Sequence, residues 1–303
     1  MKYDFNTPID RRGTDSLKWD VGENELPMWV ADMDFETAPA VKEAVMRRAA
    51  HGIYGYTLIP DKWYDAITGW WRERHGFMLE RDWLCFCTGV IPAISSAVKR
   101  VTNVGDRVVL LTPVYDIFYH SVENAGRTVL ESRLSYRNGE YDIDFYDLEK
   151  KLSDPLCTMM ILCNPHNPVG KIWTPDELAD IDLLEADASA ALKDWHRAEA
   201  LYSQTARNFT SLAGSKAAVA LGERYLSSGK AAEAEKLMTE FTDAGSPHEY
   251  WLARGYIVLA DALTARGDKA TAREYLESLR ENYPGSESDI FKMIDSRLKK
   301  LKK

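Results

Sequence analysis

Cysteine is scarce in this sequence, and it is unevenly placed. The 303 residues contain four cysteines, and all of them lie before residue 164. Cys85 and Cys87 form a lone Cys-x-Cys pair, without the second pair that would complete a zinc site. We therefore expect buried, reduced thiols and no metal centre.

The sequence also lacks long apolar runs and an excess of positive charge. No stretch is apolar for long enough to cross a membrane, and the N-terminus does not resemble a signal peptide. The formal net charge of −9 argues against general nucleic-acid binding. The basic residues from Arg297 to Lys303 are expected to be a solvated helix end. These features predict a cytoplasmic protein with no nucleic-acid and no membrane partner.

Strand-like and helix-like segments alternate in the first half of the chain. Four apolar runs predict strands, at Trp83–Thr88, Asp106–Leu111, Arg127–Leu134 and Cys157–Cys163. Helices fall between them, and two more come earlier, one ended by Gly52 and one from about Asp61 to His75. The aromatic residues of the latter, such as Trp70 and Trp71, are expected in a core. This alternation predicts an α/β layered fold with a mostly parallel sheet.

Turn residues follow two of the predicted strands. Cys163–Gly170, with two prolines and a glycine, separates the last strand from a helix that begins near Thr174. Such a turn places polar side chains at the carboxyl edge of an α/β sheet, where these folds bind ligands. Gly89 begins another helix, whose free N–H groups would suit a phosphate, although many turns look like this.

Five motifs stand in a fixed order within residues 1–181. They are Met28–Phe35, Tyr54–Tyr56, Thr88–Ile94, Pro113–Phe118 and Asn164–Lys171. Together they resemble the N-terminal half of a pyridoxal-phosphate enzyme of the aspartate-aminotransferase fold, in the cystathionine β-lyase-like C–S lyase branch. The resemblance implies part of that type I transferase fold and pyridoxal 5′-phosphate as cofactor.

The resemblance assigns roles to residues that match these motifs. Gly89 and Val90 would offer backbone N–H groups to the cofactor phosphate, which suits a helix N-terminus. Tyr115 would stack on the pyridine ring, and Asn167 would hydrogen-bond the ring hydroxyl. Without the resemblance, a core tyrosine and a turn-forming asparagine would be the simpler interpretations.

Two further roles concern the substrate and a second subunit. Ala31 would line the place where the amino-acid backbone of the substrate lies. Tyr56 would reach across a dimer interface to the phosphate of the neighbouring subunit, so a homodimer through the N-terminal half is implied.

The family also requires a lysine that holds the cofactor and an acid at the pyridine nitrogen. Neither segment is recognisable after Leu178. Asp194 and Lys230 lie at about the right distances along the chain, but we interpret both as exposed residues that begin helices. No catalytic residue is therefore assigned.

The second half, residues 182–303, is rich in alanine and has a repeating pattern. Ala198, Ala234 and Ala272 are spaced 36 and 38 residues apart. Each has a turn residue five positions before it and a large apolar residue four positions after it: Lys193, Gly229 and Gly267, and Tyr202, Met238 and Leu276. This resembles tetratricopeptide repeats. Helix hairpins are predicted at 182–208, 215–242 and 247–282.

Two functions remain open, besides a third possibility in which Gly89 and Val90 keep only weak, non-covalent phosphate binding without chemistry. The first is a chimeric or truncated chain, with an inactive lyase-like domain at 1–181 in which cofactor binding is doubtful. Its all-α repeat domain at 182–303 would be an interaction scaffold for an unidentified protein or peptide partner. The alternative is an active cystathionine β-lyase-like enzyme that recruits a lysine such as Lys230.

Overall fold

The computed structural model describes residues 3–301, which form two compact units that divide between Phe86 and Cys87. Lys302 and Lys303, the end of the basic C-terminal segment, lie outside the described residues. Among the helices that are described, none is long and apolar enough to span a bilayer. The predicted cytoplasmic location stays a prediction.

The first unit contains two helices and little core. Helix α1 spans Pro39–His51 and α2 spans Asp61–His75, and both end at the predicted glycines, Gly52 and Gly76, in left-handed backbone. Neither helix buries a residue. The prediction that the aromatic residues of α2 form a core is wrong within this unit: Trp70 is 56% exposed and Trp71 42% exposed.

The second unit contains the strands. They are β1 (Arg107–Thr112), β2 (Thr128–Arg133), β3 (Ser135–Arg137), β4 (Glu140–Asp142) and β5 (Cys157–Ile161). The sheet has the order β2-β1-β5, and both pairings are parallel, as the alternating sequence predicts. β1 lies in the centre, and its continuous apolar run is buried on both faces.

One predicted strand is absent. Trp83 ends a short 3-10 turn, Arg81–Trp83, and residues 84–88 pair with no strand among residues 3–301. For this reason Cys85 and Cys87 are exposed, against the expectation of buried thiols, while Cys157 and Cys163 are half-buried. A strand-like sequence becomes a strand only where a neighbour supplies its hydrogen bonds.

Sequence reasoning missed the hairpin of β3 and β4. Its turn residues are Asn138 and Gly139, both with positive φ. Asn-Gly is the strongest short-range hairpin signal, because a tight hairpin turn needs left-handed backbone at both central positions. The Asn-Gly pair could therefore have predicted this hairpin from the sequence.

The remaining helices all lie in the second unit. They are α3 (Val90–Val101), α4 (Ile117–Glu123), α5 (Phe145–Leu152), α6 (Pro175–Ala191), α7 (Trp195–Thr205), α8 (Leu212–Ser227), α9 (Ala231–Ala244), α10 (Glu249–Ala265), α11 (Lys269–Asn282) and α12 (Ser288–Leu301). α3 and α4 cover one face of the sheet with Val98 and Val122. α5 and α6 cover the other, where Leu148 is fully buried.

Helix α6 is shared by the sheet and the helical region. It begins at the predicted place with a capping box, in which the Thr174 hydroxyl accepts from the Glu177 N–H and the Glu177 side chain accepts from the Thr174 N–H. Leu178 and Ile181 pack on the core of the sheet, while Leu183 and Ala186 belong to the helical core.

Helices α6 to α12 each pack against the next, and α6, α8, α10 and α12 also pack in series. The three predicted turn residues, Lys193, Gly229 and Gly267, all have left-handed φ. The three aligned alanines, Ala198, Ala234 and Ala272, are fully buried. Helix hairpins at the predicted positions are therefore confirmed, although this does not identify them as tetratricopeptide repeats.

The predicted domain limits, 1–181 and 182–303, differ from the division of the structure into compact units. That division falls at residue 86, and α6 runs through the predicted boundary without a break. The limits from the sequence stay a prediction.

The hairpin turns lead to a test at Lys230. Asp194 and Asp268 cap α7 and α11 with their carboxylates, but Lys230 begins α9 without a side-chain cap. We expect Lys230→Asn to raise the free energy of unfolding by about 1 kcal/mol over Lys230→Ala, because asparagine can cap and alanine cannot. Urea denaturation measures the difference, and equal midpoints for the two variants would contradict this account.

Candidate cofactor site

The N-terminus of α3 points to the carboxyl edge of the sheet. The C-terminus of α3 is anchored beside the start of β2, where Arg127 donates from Nε to Thr102 Oγ1 (2.9 Å) and from Nη2 to the Thr102 carbonyl (2.6 Å). Because β1 begins a few residues after α3 and the helix packs along the sheet, the two run in opposite directions. The first turn of α3 therefore lies near the ends of β1 and β5.

Gly89 is the N-cap residue of α3, and Val90 is its first helical residue. The backbone of Gly89 is extended, and a Cβ there would make only an ordinary contact with Pro92 at 3.6 Å. Neither conformation nor packing thus requires glycine. The first N–H groups of a helix have no acceptor within the helix, so Gly89 and Val90 can offer donors to an anion, and their role at the cofactor phosphate stays a prediction.

Tyr115 and Asn167 come from loops that follow two adjacent strands, β1 and β5. The Tyr115 N–H donates to the Asn167 carbonyl at 2.9 Å, so the structure brings these two predicted residues together. The Tyr115 ring is 43% exposed. The Asn167 side chain is also exposed, and its amide has no hydrogen-bond partner within residues 3–301.

The β5–α6 loop, residues 162–174, is held by hydrogen bonds at both ends. Trp173 is buried, and its Nε1–H donates to the Cys163 carbonyl at 2.9 Å. Lys171 donates to the Tyr141 carbonyl (2.6 Å) and pairs with Glu177 (2.7 Å) and Asp142 (3.0 Å). Burial opposes the charge of Lys171, but these carboxylates outweigh it and raise the lysine pKa.

His166 lies inside this loop and is 2% exposed. Its Nε2 is 3.1 Å from the Leu111 carbonyl on β1, while its Nδ1 is buried without a hydrogen-bond partner. Desolvation lowers the pKa of His166, because the charged ring would need an acceptor at Nδ1. The sequence analysis assigned this histidine no role. Its position between Pro165 and Pro168, in the turn after a strand, was the available signal.

The other two predicted site residues lie in the first unit. Ala31 is exposed and precedes Asp32 and Asp34. Asp34 accepts hydrogen bonds from Lys18, Trp19 and Arg11 at 2.7 to 2.8 Å, and these bonds lower its pKa. This ion cluster, which the sequence did not reveal, fixes the segment that carries Ala31.

Tyr56 lies between α1 and α2, and its side chain is fully exposed. Its predicted role depends on a second subunit, so the geometry of one chain leaves that role a prediction.

Asp194 and Lys230 each have local partners at the start of a helix. Asp194 accepts from the Arg197 N–H at 3.2 Å at the start of α7. The Lys230 ammonium is 3.4 Å from the Glu199 carboxylate and lies over the Tyr225 ring. Both begin helices, as interpreted from the sequence.

Comparison with known families matches the chain to "Aminotransferase class I and II" over residues 23–220, about two thirds of its length. The chain belongs to the class I and II aminotransferase family. The match continues past the predicted boundary at residue 181 and through α7 into α8.

Several relatives of this family member are named as lyases. Cystathionine beta-lyase PatB of Bacillus subtilis is 44% identical over 216 residues, which cover 69% of this chain and 56% of that protein. The crystal structure of cystalysin from Treponema denticola, which contains pyridoxal 5′-phosphate, matches with a TM-score of 0.57 and 35% identity over 63% of this chain and 50% of that one.

A third relative is the C–S lyase of Staphylococcus hominis, in the external aldimine form with L-cycloserine. It matches with a TM-score of 0.57 and 31% identity over 61% of this chain and 49% of that one. The chain spans about half the length of the curated relatives it matches.

These findings overturn the main functional prediction from the sequence, a chimeric or truncated chain with an inactive lyase-like half and an interaction scaffold. The family match runs through residue 220, and the relatives include cystathionine β-lyases and C–S lyases with bound cofactor. Doubt about the cofactor is likewise unsupported. The alternative prediction, a cystathionine β-lyase-like enzyme, agrees better with these relatives.

The buried His166 predicts a specific pH dependence. Its pKa is lower in the folded chain than in the unfolded chain, so the unfolded chain binds more protons below about pH 6.5. We expect the free energy of unfolding to fall as the pH is lowered from 7 towards 5, by up to about 1.4 kcal/mol per unit of pKa depression.

Urea denaturation at a series of pH values measures this dependence. The matched variant is His166→Gln, which cannot titrate in this range and should lose less stability between pH 7 and pH 5. Parallel pH profiles for the two proteins would contradict the proposed cause.

Proposed function

We propose that the chain is a pyridoxal-phosphate-dependent C–S lyase acting on a sulfur-containing amino acid of the cystathionine type. The observation that carries the proposal is the meeting of two strand-end loops, where the Tyr115 N–H donates to the Asn167 carbonyl and both side chains remain exposed. The names of its relatives support the same reaction class.

The residues present fit the cofactor in three ways. An exposed aromatic ring at Tyr115 can stack on a flat pyridine. The free amide of Asn167 can donate to the oxygen on that ring, since no protein group within residues 3–301 competes for it. The first turn of α3, entered by a glycine that the fold does not require, can bind a phosphate dianion.

The reaction that follows is a β-elimination. When bound, the cofactor would act as an electron sink, which makes the α-proton of the amino acid acidic enough to be removed. Tyr115 would keep the ring plane fixed, and Asn167 would keep the ring oxygen oriented. A thiolate would leave the β-carbon and combine with the removed proton to give the free thiol, and one water molecule would hydrolyse the remaining imine to pyruvate and ammonia.

Covalent attachment of the cofactor needs a lysine, and the sequence offered Lys230. Its pairing with Glu199 at the start of α9 gives it a structural role. We therefore base the proposal on the binding residues and let chemical labelling identify the lysine. Reduction with borohydride after addition of the cofactor, followed by peptide mapping, finds the modified residue, and Lys230→Ala shows whether it is Lys230.

The binding site leads to a direct test with pyridoxal phosphate. We expect Tyr115→Ala and Asn167→Ala each to weaken binding by about tenfold, because each removes a contact worth roughly 1 to 1.5 kcal/mol. Absorbance and fluorescence titration measure the dissociation constants. Tyr146→Ala is the matched control, because Tyr146 is an 81% exposed tyrosine on α5.

The complete proposal also requires that pyruvate appear when the loaded protein meets cystathionine. A native chain that binds no cofactor, or that binds it and releases no pyruvate from sulfur-containing amino acids, would refute the proposed function. Equal weakening by Tyr115→Ala and the control would refute only the assigned site.

We also propose that the chain forms a homodimer through its N-terminal half, with Tyr56 reaching the phosphate of the partner subunit. In support, α1 and α2 bury no residue, and apolar side chains such as Met46 (61% exposed) and Trp70 lie open. Helices that expose several large apolar side chains are candidates for an interface.

Light scattering tests the dimer. The native chain should have twice the mass of one chain, and Met46→Asp should shift the equilibrium towards the monomer because it places a charge in an apolar interface. Tyr146→Asp, on α5, should leave the mass unchanged. A native chain that is monomeric at micromolar concentration would contradict the proposal.

We further propose that the hairpins of α6 to α11 are tetratricopeptide-like repeats. Their support is the threefold recurrence of one turn, in which the N–H groups of Asp194, Lys230 and Asp268 each donate to the carbonyl five residues earlier at 2.9 Å. A protein or peptide partner for these helices, and the absence of nucleic-acid and membrane partners, stay predictions.

A further inference from the structure

His166 is buried in the β5–α6 loop, and the proposed chemistry does not use it. Its Nε2 is 3.1 Å from the Leu111 carbonyl. A carbonyl can only accept, so Nε2 carries the hydrogen and the neutral tautomer is fixed. This hydrogen bond links the β5–α6 loop to Leu111, near the C-terminal end of β1. It therefore connects the two adjacent strands whose loops carry the site.

The rest of the ring makes no polar contact. Nδ1 is buried without a hydrogen-bond partner, and the ring meets Trp173 edge to face, with centroids 5.5 Å apart at 89°. A buried acceptor without a partner costs stability, and an apolar side chain of similar size would avoid that cost. The histidine is therefore explained by its single hydrogen bond to Leu111.

The backbone on both sides of His166 transmits this link to the site. The His166 N–H donates to the Lys171 carbonyl and its carbonyl accepts from the Gly170 N–H, both at 2.7 Å, which closes the loop upon itself. The next residue is Asn167, whose carbonyl accepts from Tyr115. The side chain of His166 thus holds the loop to β1 one residue away from the contact between Asn167 and Tyr115.

We propose that His166 is a positioning residue: its Nε2–H bond to the Leu111 carbonyl holds Asn167 beside Tyr115 in the geometry that binds pyridoxal phosphate. This inference rests on the proposed function for its ligand. The position of Asn167 relative to Tyr115 can also be measured without the ligand.

The experiment compares His166→Asn with His166→Gln in the full chain. The glutamine amide reaches about as far as Nε2 and can donate to Leu111, whereas the shorter asparagine amide lies near the position of Nδ1 and cannot. Val129→Ala is the stability control, because Val129 lies half-buried on β2, on the face that packs against α3 and α4. Two quantities are measured: the dissociation constant for pyridoxal phosphate and the hydrogen-exchange rate of the Tyr115 amide, whose acceptor is Asn167.

We expect His166→Asn to weaken binding by about 5- to 10-fold and to speed exchange at Tyr115 by about tenfold, as the loss of one hydrogen bond predicts. His166→Gln should restore both towards native values, and Val129→Ala should change neither. Unchanged exchange at Tyr115 in His166→Asn, or equal effects of asparagine and glutamine, would overturn the proposal. If the native chain binds no cofactor while exchange still responds as expected, the proposed function fails and the positioning role stands.

Discussion

The proposed cofactor site depends on the parallel pairing of β1 with β5. Parallel strands end at the same edge of a sheet, so the loops that follow them start side by side. A backbone hydrogen bond from the Tyr115 N–H to the Asn167 carbonyl then joins two residues that are 52 positions apart in the sequence. Without this pairing, the ring and the amide would belong to unrelated surface loops.

Helix α6 connects this edge to the rest of the second unit. One side of the helix covers the sheet with Leu178 and Ile181, and the other enters the helical core with Leu183 and Ala186. A helix that serves two cores has apolar residues around much of its circumference, which a single amphipathic stripe does not describe. The sequence change near residue 181 therefore marks a change of neighbours along one continuous helix.

Local patterns predicted most of the secondary structure, because capping residues, left-handed turn residues and apolar runs act within a few positions. They predicted β1, β2, β5, the bounds of α2 and those of the last two hairpins closely, whereas the first hairpin begins at Pro175 instead of 182. They failed at Trp83–Thr88 and for the aromatic residues of α2. Strand pairing and burial at those places depend on neighbours far away in the sequence, and no local pattern reports whether such neighbours are there.

The candidate site residues also differ in how far the sequence alone could predict them. The roles of Tyr115 and Asn167 came from resemblance to a family and stay predictions, and the fold places both residues at one edge of the sheet with exposed side chains. Asp194 and Lys230 had only a suitable distance along the chain, and in the fold each is the N-cap residue of a helix, Asp194 with a side-chain cap and Lys230 without one. Distance in sequence predicts a shared site only where the intervening strands and helices return the chain to the same edge. His166 joins the loop after β5 directly to β1 through its hydrogen bond to Leu111. It is therefore a better guide to the position of the site than Asp194 and Lys230, which were considered only for their distance along the chain.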